Sequence, residues 1–259
     1  MGRDADGRSD RAAPLDGGQD GQRWPGARDG GVWTKEKLVY LAKYSAAFMK
    51  AMGPKRKLGL WDRLVYIDPL CGPGIDVDRS TGEEFRGSPL IALETAPAFD
   101  RIFLGDLSKA NVEALEKRVP NGNAARVSLK VEDCHERARQ AVQEMRRRDL
   151  GLAFVDPEGF EVTFELFRTL AERRIDIVFL FPSGIGIGRN FAKFVQSQRC
   201  AMDDLWGSRD WRDTAVAKRY ATTTLVSICP MTASISPGLR RSASVWPRSG
   251  TRTTTLPTR

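Results

Sequence analysis

From Leu64 onward, short apolar runs alternate with amphipathic stretches. Leu64-Val65-Tyr66-Ile67, Arg101-Ile102-Phe103-Leu104, Arg126 to Val131, Leu152-Ala153-Phe154-Val155 and Ile175 to Phe181 read as five strands. The last is almost continuously apolar, as expected of a strand buried on both faces. Helical patterns separate them, from Ser88 to about Thr95, Ser108 to about Val119, Glu136 to Arg148 and Thr163 to Arg173. Ser88-Pro89 supplies a favoured cap and a proline for the first helical turn. Such alternation predicts an α/β fold built on a doubly wound, mostly parallel sheet with right-handed crossovers. Ahead of it, Leu38, Leu41, Phe48 and Met52 fall on one helical stripe that Thr34 opens as N-cap and Gly53-Pro54 closes. This helix covers an edge or face of the sheet, or binds a partner.

The flanks have another texture. Residues 1–31 are Gly, Asp and Arg with almost no large apolar side chain, too little to offset the entropy of ordering, and they read as disordered. The folded domain is expected over 32–220. Residues 221–259 form a Ser/Thr/Arg-rich tail, either disordered or the product of a frame change that replaced a native ending; Leu225-Val226-Ser227-Ile228 reads as one short strand and nothing supports a second, so the C-terminal end of the sheet is expected to be incomplete. A hydrophobic fraction of 41% against 29% charged residues agrees with a core diluted by polar segments.

Charge changes the picture less than its total suggests. The net charge is +8, but from Thr214 to Arg259 there are seven basic residues and no acid, leaving 34 basic and 33 acidic residues before them. The domain is near neutral, so basicity alone does not argue for a nucleic-acid partner, though one stays open. No apolar run reaches the roughly 20 residues that cross a bilayer, and no apolar stretch follows the N-terminal Met1-Gly2-Arg3-Asp4, so a cytoplasmic protein without a membrane partner is expected. Cys71, Cys134, Cys200 and Cys229 are scattered and only His135 accompanies them, a poor basis for a metal site; none is expected.

Candidate chemistry gathers at the ends of the predicted strands. Tyr66-Ile67-Asp68-Pro69-Leu70-Cys71-Gly72-Pro73-Gly74 puts an acid at the end of the first strand, with Gly72 and Gly74 four and six places on. Ligands of open α/β sheets sit at those ends, where glycines admit close backbone approach. Leu104-Gly105-Asp106 ends the second strand in an acid placed for ribose hydroxyls. The third ends in Asp133-Cys134, where an adenine amine is readable, although Asp133 serves equally as a helix cap. The fourth ends in Asp156-Pro157, where Asp156 would orient or deprotonate an acceptor, or cap a Pro-Gly turn. Phe181 to Gly188 is Gly-rich but lacks the Gly-Lys-Ser/Thr ending of a P-loop. A nicotinamide oxidoreductase fits the glycine spacing less well.

Trp33-Thr34, Trp61, Tyr66-Ile67-Asp68, Gly72-Pro73-Gly74, Gly87-Ser88-Pro89-Leu90, Gly105-Asp106, Asn111 and Asp156-Pro157, in that order, resemble the three-Cys-motif partner protein family, TcmP, over roughly Trp33 to Leu205. The family is similar in fold to S-adenosylmethionine (SAM) dependent methyltransferases of Rossmann-like type. The resemblance implies SAM as cofactor, with Asp68, Gly72 and Gly74 on the first SAM motif and Asp106 as the ribose acid, and a protein bearing a three-cysteine motif as partner. It leaves a methyltransferase, acting on nucleic acid or another acceptor, beside a non-catalytic scaffold of the same fold. This chain departs from the family at Leu70-Cys71, where a Phe-Ala-like pair is usual, and at Glu158, where an aromatic usually follows Asp-Pro.

Overall fold

The computed structural model describes residues 27–30, 32–182, 187, 189–212 and 227–229. In chain order the elements are β1 (Arg28–Gly30), α1 (Val32–Lys57), β2 (Leu64–Asp68), β3 (Ile75–Asp78), β4 (Glu84–Arg86), α2 (Ser88–Glu94), β5 (Arg101–Asp106), α3 (Lys109–Glu116), β6 (Val127–Val131), α4 (Cys134–Glu144), β7 (Leu150–Val155), α5 (Phe164–Leu170), β8 (Ile175–Phe179), α6 (Arg189–Gln196), α7 (Ala201–Trp206) and β9 (Ser227–Cys229).

The main sheet runs β6-β5-β2-β7-β8-β9. Its first five strands are parallel, and β9 lies antiparallel on β8. The chain winds outward from β2 through β5 to β6, then returns to β7 and proceeds through β8, so the order reverses between β2 and β7. This is the doubly wound Rossmann-like arrangement, with its ligand-binding switch point at the carboxyl ends of β2 and β7.

Side-chain alternation along β2 builds two cores. Leu64 and Tyr66 face a layer with Leu38, Leu41, Phe48 and Met49 of α1, Leu90 and Leu93 of α2 and Leu115 of α3. Val65 and Ile67 face the opposite layer, with Ala138 and Val142 of α4, Leu166 and Leu170 of α5 and Met202 and Leu205 of α7. Strands covered on both faces need apolar residues at every position, and all five residues of β2 and all six of β7 are buried.

Several local expectations are corrected. Helix α1 does not stop at Gly53-Pro54 but continues to Lys57, where Lys55, Arg56 and Lys57 complement the dipole of its C-terminal turn; it also starts before Thr34, which therefore lies inside the first turn. Arg28–Gly30, within the segment expected to be disordered, form a strand on β3, because the Arg28–Asp76 ion pair supplies the anchor that apolar side chains do not. The stretch from Ile75 to Gly87, to which the sequence patterning assigns no element, contains the β3–β4 hairpin, with Ile75 and Val77 buried at alternate positions. Residue Ser88 does not cap α2, whose N-cap is Gly87. The Gly-rich stretch 183–186 and Gly188, and the remainders of segments 1–31 and 221–259, lie outside the described residues. Among the described residues no helix is long and apolar enough to cross a membrane.

Candidate functional site

The turn after β2 is tied to the end of β5 by backbone and side chain together. The Cys71 amide donates to the Gly105 carbonyl at 2.9 Å, and the Gly72 amide donates to Asp106 Oδ2 at 3.0 Å. Asp106 Oδ1 accepts from the Ser108 amide at 2.8 Å and from Asn111 Nδ2 at 3.1 Å. A carboxylate offers about four acceptor directions, so three donors leave Asp106 one more for a ligand. Gly72 and Gly74 have φ of +61° and +87°, the left-handed region that glycine tolerates. At Gly74 a Cβ would also lie 2.7 Å from Leu115 Cδ1, so the turn packs directly on α3.

Asp68 is fully buried beneath this turn. Its Oδ1 accepts from the Leu70 amide and its Oδ2 from Tyr66 Oη, each at 3.3 Å, and the Ser88 hydroxyl donates as well. The buried carboxylate recruits the hydroxyl that the sequence assigned to a helix cap. Burial dominates its titration and raises the pKa from 3.8 to about 7, with Asp156 adding like-charge repulsion and the Ser88, Leu70 and Tyr66 donors opposing. Cys71 is also buried beside Asp68 and Asp106, and its thiol is held protonated well above the usual range, first by burial and then by those carboxylates.

Across the switch point, Asp156 follows β7 and pairs through Oδ2 with Lys37 Nζ of α1, both side chains only 12% exposed. It does not cap the turn after β7. Glu161 does so, accepting from the Glu158 amide at 2.7 Å and the Gly159 amide at 2.9 Å. Pro157 is buried in the same turn. Phe160 packs edge-on against Phe194 of α6 at 5.2 Å between ring centres. Arg28 reaches the same edge from β1, pairing with Asp76 and with Glu158 Oε1. Its guanidinium feels Asp76, Asp156 and Glu158, which together outweigh burial and raise its pKa above the ordinary value.

The third strand end meets the turn after β7 at Glu161, whose carbonyl oxygen lies 3.8 Å from Cys134 Sγ. Asp133 is the N-cap of α4, accepting from the His135 amide at 2.9 Å, and lies 3.1 Å from His135 Nδ1. Cys134 is buried, with its Sγ 3.3 Å from His135 Nδ1, and burial pushes its thiol up to about 12, helped by Asp133 and Glu161. His135 Nε2 accepts from the Thr163 amide at 3.3 Å and lies 2.9 Å from Thr163 Oγ1. The ligand-type atoms of Asp133, Cys134 and His135 lie within 4.8 Å of one another, and the His135 contacts to Thr163 link α4 to the start of α5.

Asp68, Asp106, Gly72, Gly74, Asp156 and Pro157 thus gather along one edge of the sheet, while Asp133 and Cys134 face the α4–α5 side. Lys37 and Arg28 belong to the site and escaped the sequence reading. Their partners Asp156 and Asp76 are 119 and 48 residues away, beyond any spacing rule. The chemistry of the edge is acidic: Asp68, Asp76, Asp106, Asp156 and Glu158 outnumber Arg28, Lys37 and Arg118. Such a set of acceptors fits a ligand carrying hydroxyls and positive charge.

No family model and no curated protein matches the chain. Among solved structures it is similar to protein LPL1258 of Legionella pneumophila, of family DUF519, at 17% identity and TM-score 0.39, over 53% of this chain and 66% of that one. It is also similar to the candidate methyltransferase yhhF of Escherichia coli, at 14% identity and TM-score 0.33, over 60% of this chain and 71% of that one. Likenesses this distant carry no functional argument; the fold assignment rests on the strand order itself.

Proposed function

We propose that the chain binds SAM along the carboxyl ends of β2 and β5 and transfers its methyl group to an acceptor presented at Asp156-Pro157. The observation that carries this reading is the shared anchoring of the Gly72 turn and Asp106, beside a buried acid, at the switch point of the sheet. These acceptors fit the cofactor: Asp106 keeps an acceptor direction for ribose, and the acidic edge complements a sulfonium and an ammonium. When bound, SAM supplies an electrophilic methyl group. The chain's own part is to hold Asp68 and Asp106 in fixed positions and to orient an acceptor proton with the Asp156 carboxylate.

Nucleic acid remains a proposed acceptor. The acidic edge disfavours phosphate there, so a nucleic acid would have to insert a base and keep its backbone on another surface. A three-Cys-motif protein is the proposed partner, on the family resemblance. One observation favours a second reading, a non-catalytic scaffold: Lys37 already occupies Asp156.

Calorimetric titration of the full chain with SAM tests the cofactor site. Saturable binding weakened roughly 10- to 100-fold by Asp106→Ala, with the circular dichroism spectrum unchanged, is expected, since hydrogen bonds to a charged group are worth about 1.5–3 kcal/mol. No binding by folded wild-type protein rejects the reading. Tritiated methyl transfer to DNA, RNA or the partner protein then separates enzyme from scaffold.

A further inference from the structure

SAM carries a carboxylate as well as positive charge, and an acidic edge does nothing for it. The register of β1 on β3 sets Arg28 directly beside Asp76. Asp76, itself buried, holds one side of the guanidinium, Nε to Oδ1 at 2.7 Å and Nη2 to Oδ2 at 3.5 Å. That grip fixes the plane of the fork and leaves Nη1 pointing away from it. Nη1 lies 3.7 Å from where a Cβ on Gly72 would stand, so it rests against the bare backbone of the turn that the cofactor reading assigns to SAM.

The partner of Nη1 is a carboxylate oxygen, Glu158 Oε1 at 3.2 Å, on a side chain 76% exposed. An exposed partner of this kind contributes little and is readily displaced. The arrangement is therefore asymmetric: a buried acid orients the guanidinium permanently, and a solvated acid covers the donor that faces the Gly72 turn. Of the other nearby cations, Lys37 pairs with Asp156, and Arg118 donates to the Pro73 carbonyl of the turn itself.

We propose that Arg28 is the carboxylate-binding residue of this site, with Glu158 occupying in the free protein the place that a ligand carboxylate takes. The proposal rests on the cofactor reading and adds to it a residue outside the strand-end motifs. It also gives β1 a purpose: the strand is the mount that brings a cation to an otherwise acidic edge.

The test compares SAM with decarboxylated SAM, which keeps the sulfonium and amine but has hydrogen in place of the carboxylate. Dissociation constants are measured calorimetrically on the full chain. Wild type is expected to prefer SAM, even though decarboxylation raises the ligand's net positive charge and the acidic edge favours that change. Arg28→Met is expected to weaken SAM about 10-fold or more and to leave decarboxylated SAM within about twofold. Glu158→Gln, which keeps Arg28 and Asp76 intact, is expected to tighten SAM a few-fold by removing the competing carboxylate. Equal affinity of wild type for the two ligands overturns the proposal, as does an equal loss of both in Arg28→Met or no tightening in Glu158→Gln. Those results leave SAM binding intact and refute Arg28 alone, whereas a wild-type protein that binds neither ligand refutes the cofactor reading beneath it.

Discussion

Replacing Asp68 with Asn should stabilise the protein more and more as pH rises. Asp68 is fully buried, and its pKa is raised from 3.8 to about 7, chiefly by burial. Between about pH 4 and pH 7 the folded protein therefore holds a proton at this site that the unfolded chain has released. Where the native state binds more protons, stability falls as pH rises. The penalty grows through that window and persists in full above about pH 7. A three-unit shift at about 1.36 kcal/mol per unit gives a full cost of about 4 kcal/mol. Roughly 2.5 kcal/mol of this develops between pH 5 and pH 8, the rest having accrued below pH 5. Asparagine keeps the shape and an acceptor for the Leu70 amide, and the Tyr66 and Ser88 hydroxyls can turn to accept from its amide group. It never ionises, so its stability lacks this slope. Urea unfolding of both proteins at pH 5, 6, 7 and 8 measures the difference and cancels every other titrating group. The stability gap should widen in favour of Asn by roughly 2–3 kcal/mol from pH 5 to pH 8. A gap that stays flat or narrows refutes the claim that Asp68 is ionised at a cost in the fold. The same variant should bind SAM more weakly at pH 8 despite its greater stability, the trade expected when an acid is kept for a ligand.

Three further outcomes follow from the packing. Gly74→Ala forces a side chain into the left-handed region and against Leu115, and should cost about 2–4 kcal/mol in denaturant unfolding; Gly72→Ala, where the nearest atom to a Cβ is Arg28 Nη1 at an ordinary contact distance of 3.7 Å, should cost only about 1. Lys37→Met strips the counter-charge from a carboxylate 12% exposed and should lose about 3 kcal/mol, much of it recovered by adding Asp156→Asn, a coupling that a double-mutant cycle reads directly. Glu161→Gln weakens the acceptor for two successive amides and should speed hydrogen exchange at Glu158 and Gly159 while changing global stability by about 1 kcal/mol or less.

The fold was legible because five apolar runs were long enough to specify strands, and because the acids ending them needed no tertiary information to be noticed. The β3–β4 hairpin was missed although Ile75 and Val77 alternate, since Asp76 and Asp78 between them look like surface residues until Arg28 and Lys35 are seen to neutralise them. Ser88 was misassigned for a similar reason: a serine before Pro-Leu is a cap by local rules, and only the sheet shows a buried carboxylate in need of its hydroxyl. Asp156 invited the notion of a capped turn, but the capping acid is Glu161, five residues later. Local patterning recovers elements and strand ends. Ion pairs made across the chain by α1 and β1 decide how the acids are held, and no pattern in one dimension contains them.

A crystal structure with S-adenosylhomocysteine, the product form of the proposed cofactor, tests the site most directly. Density is expected over the Gly72–Gly74 turn, with ribose oxygens within hydrogen-bond distance of Asp106 and the ligand carboxylate on Arg28 with Glu158 displaced. Density bound elsewhere on the sheet, or none at saturating ligand in a well-ordered crystal, contradicts the proposed site.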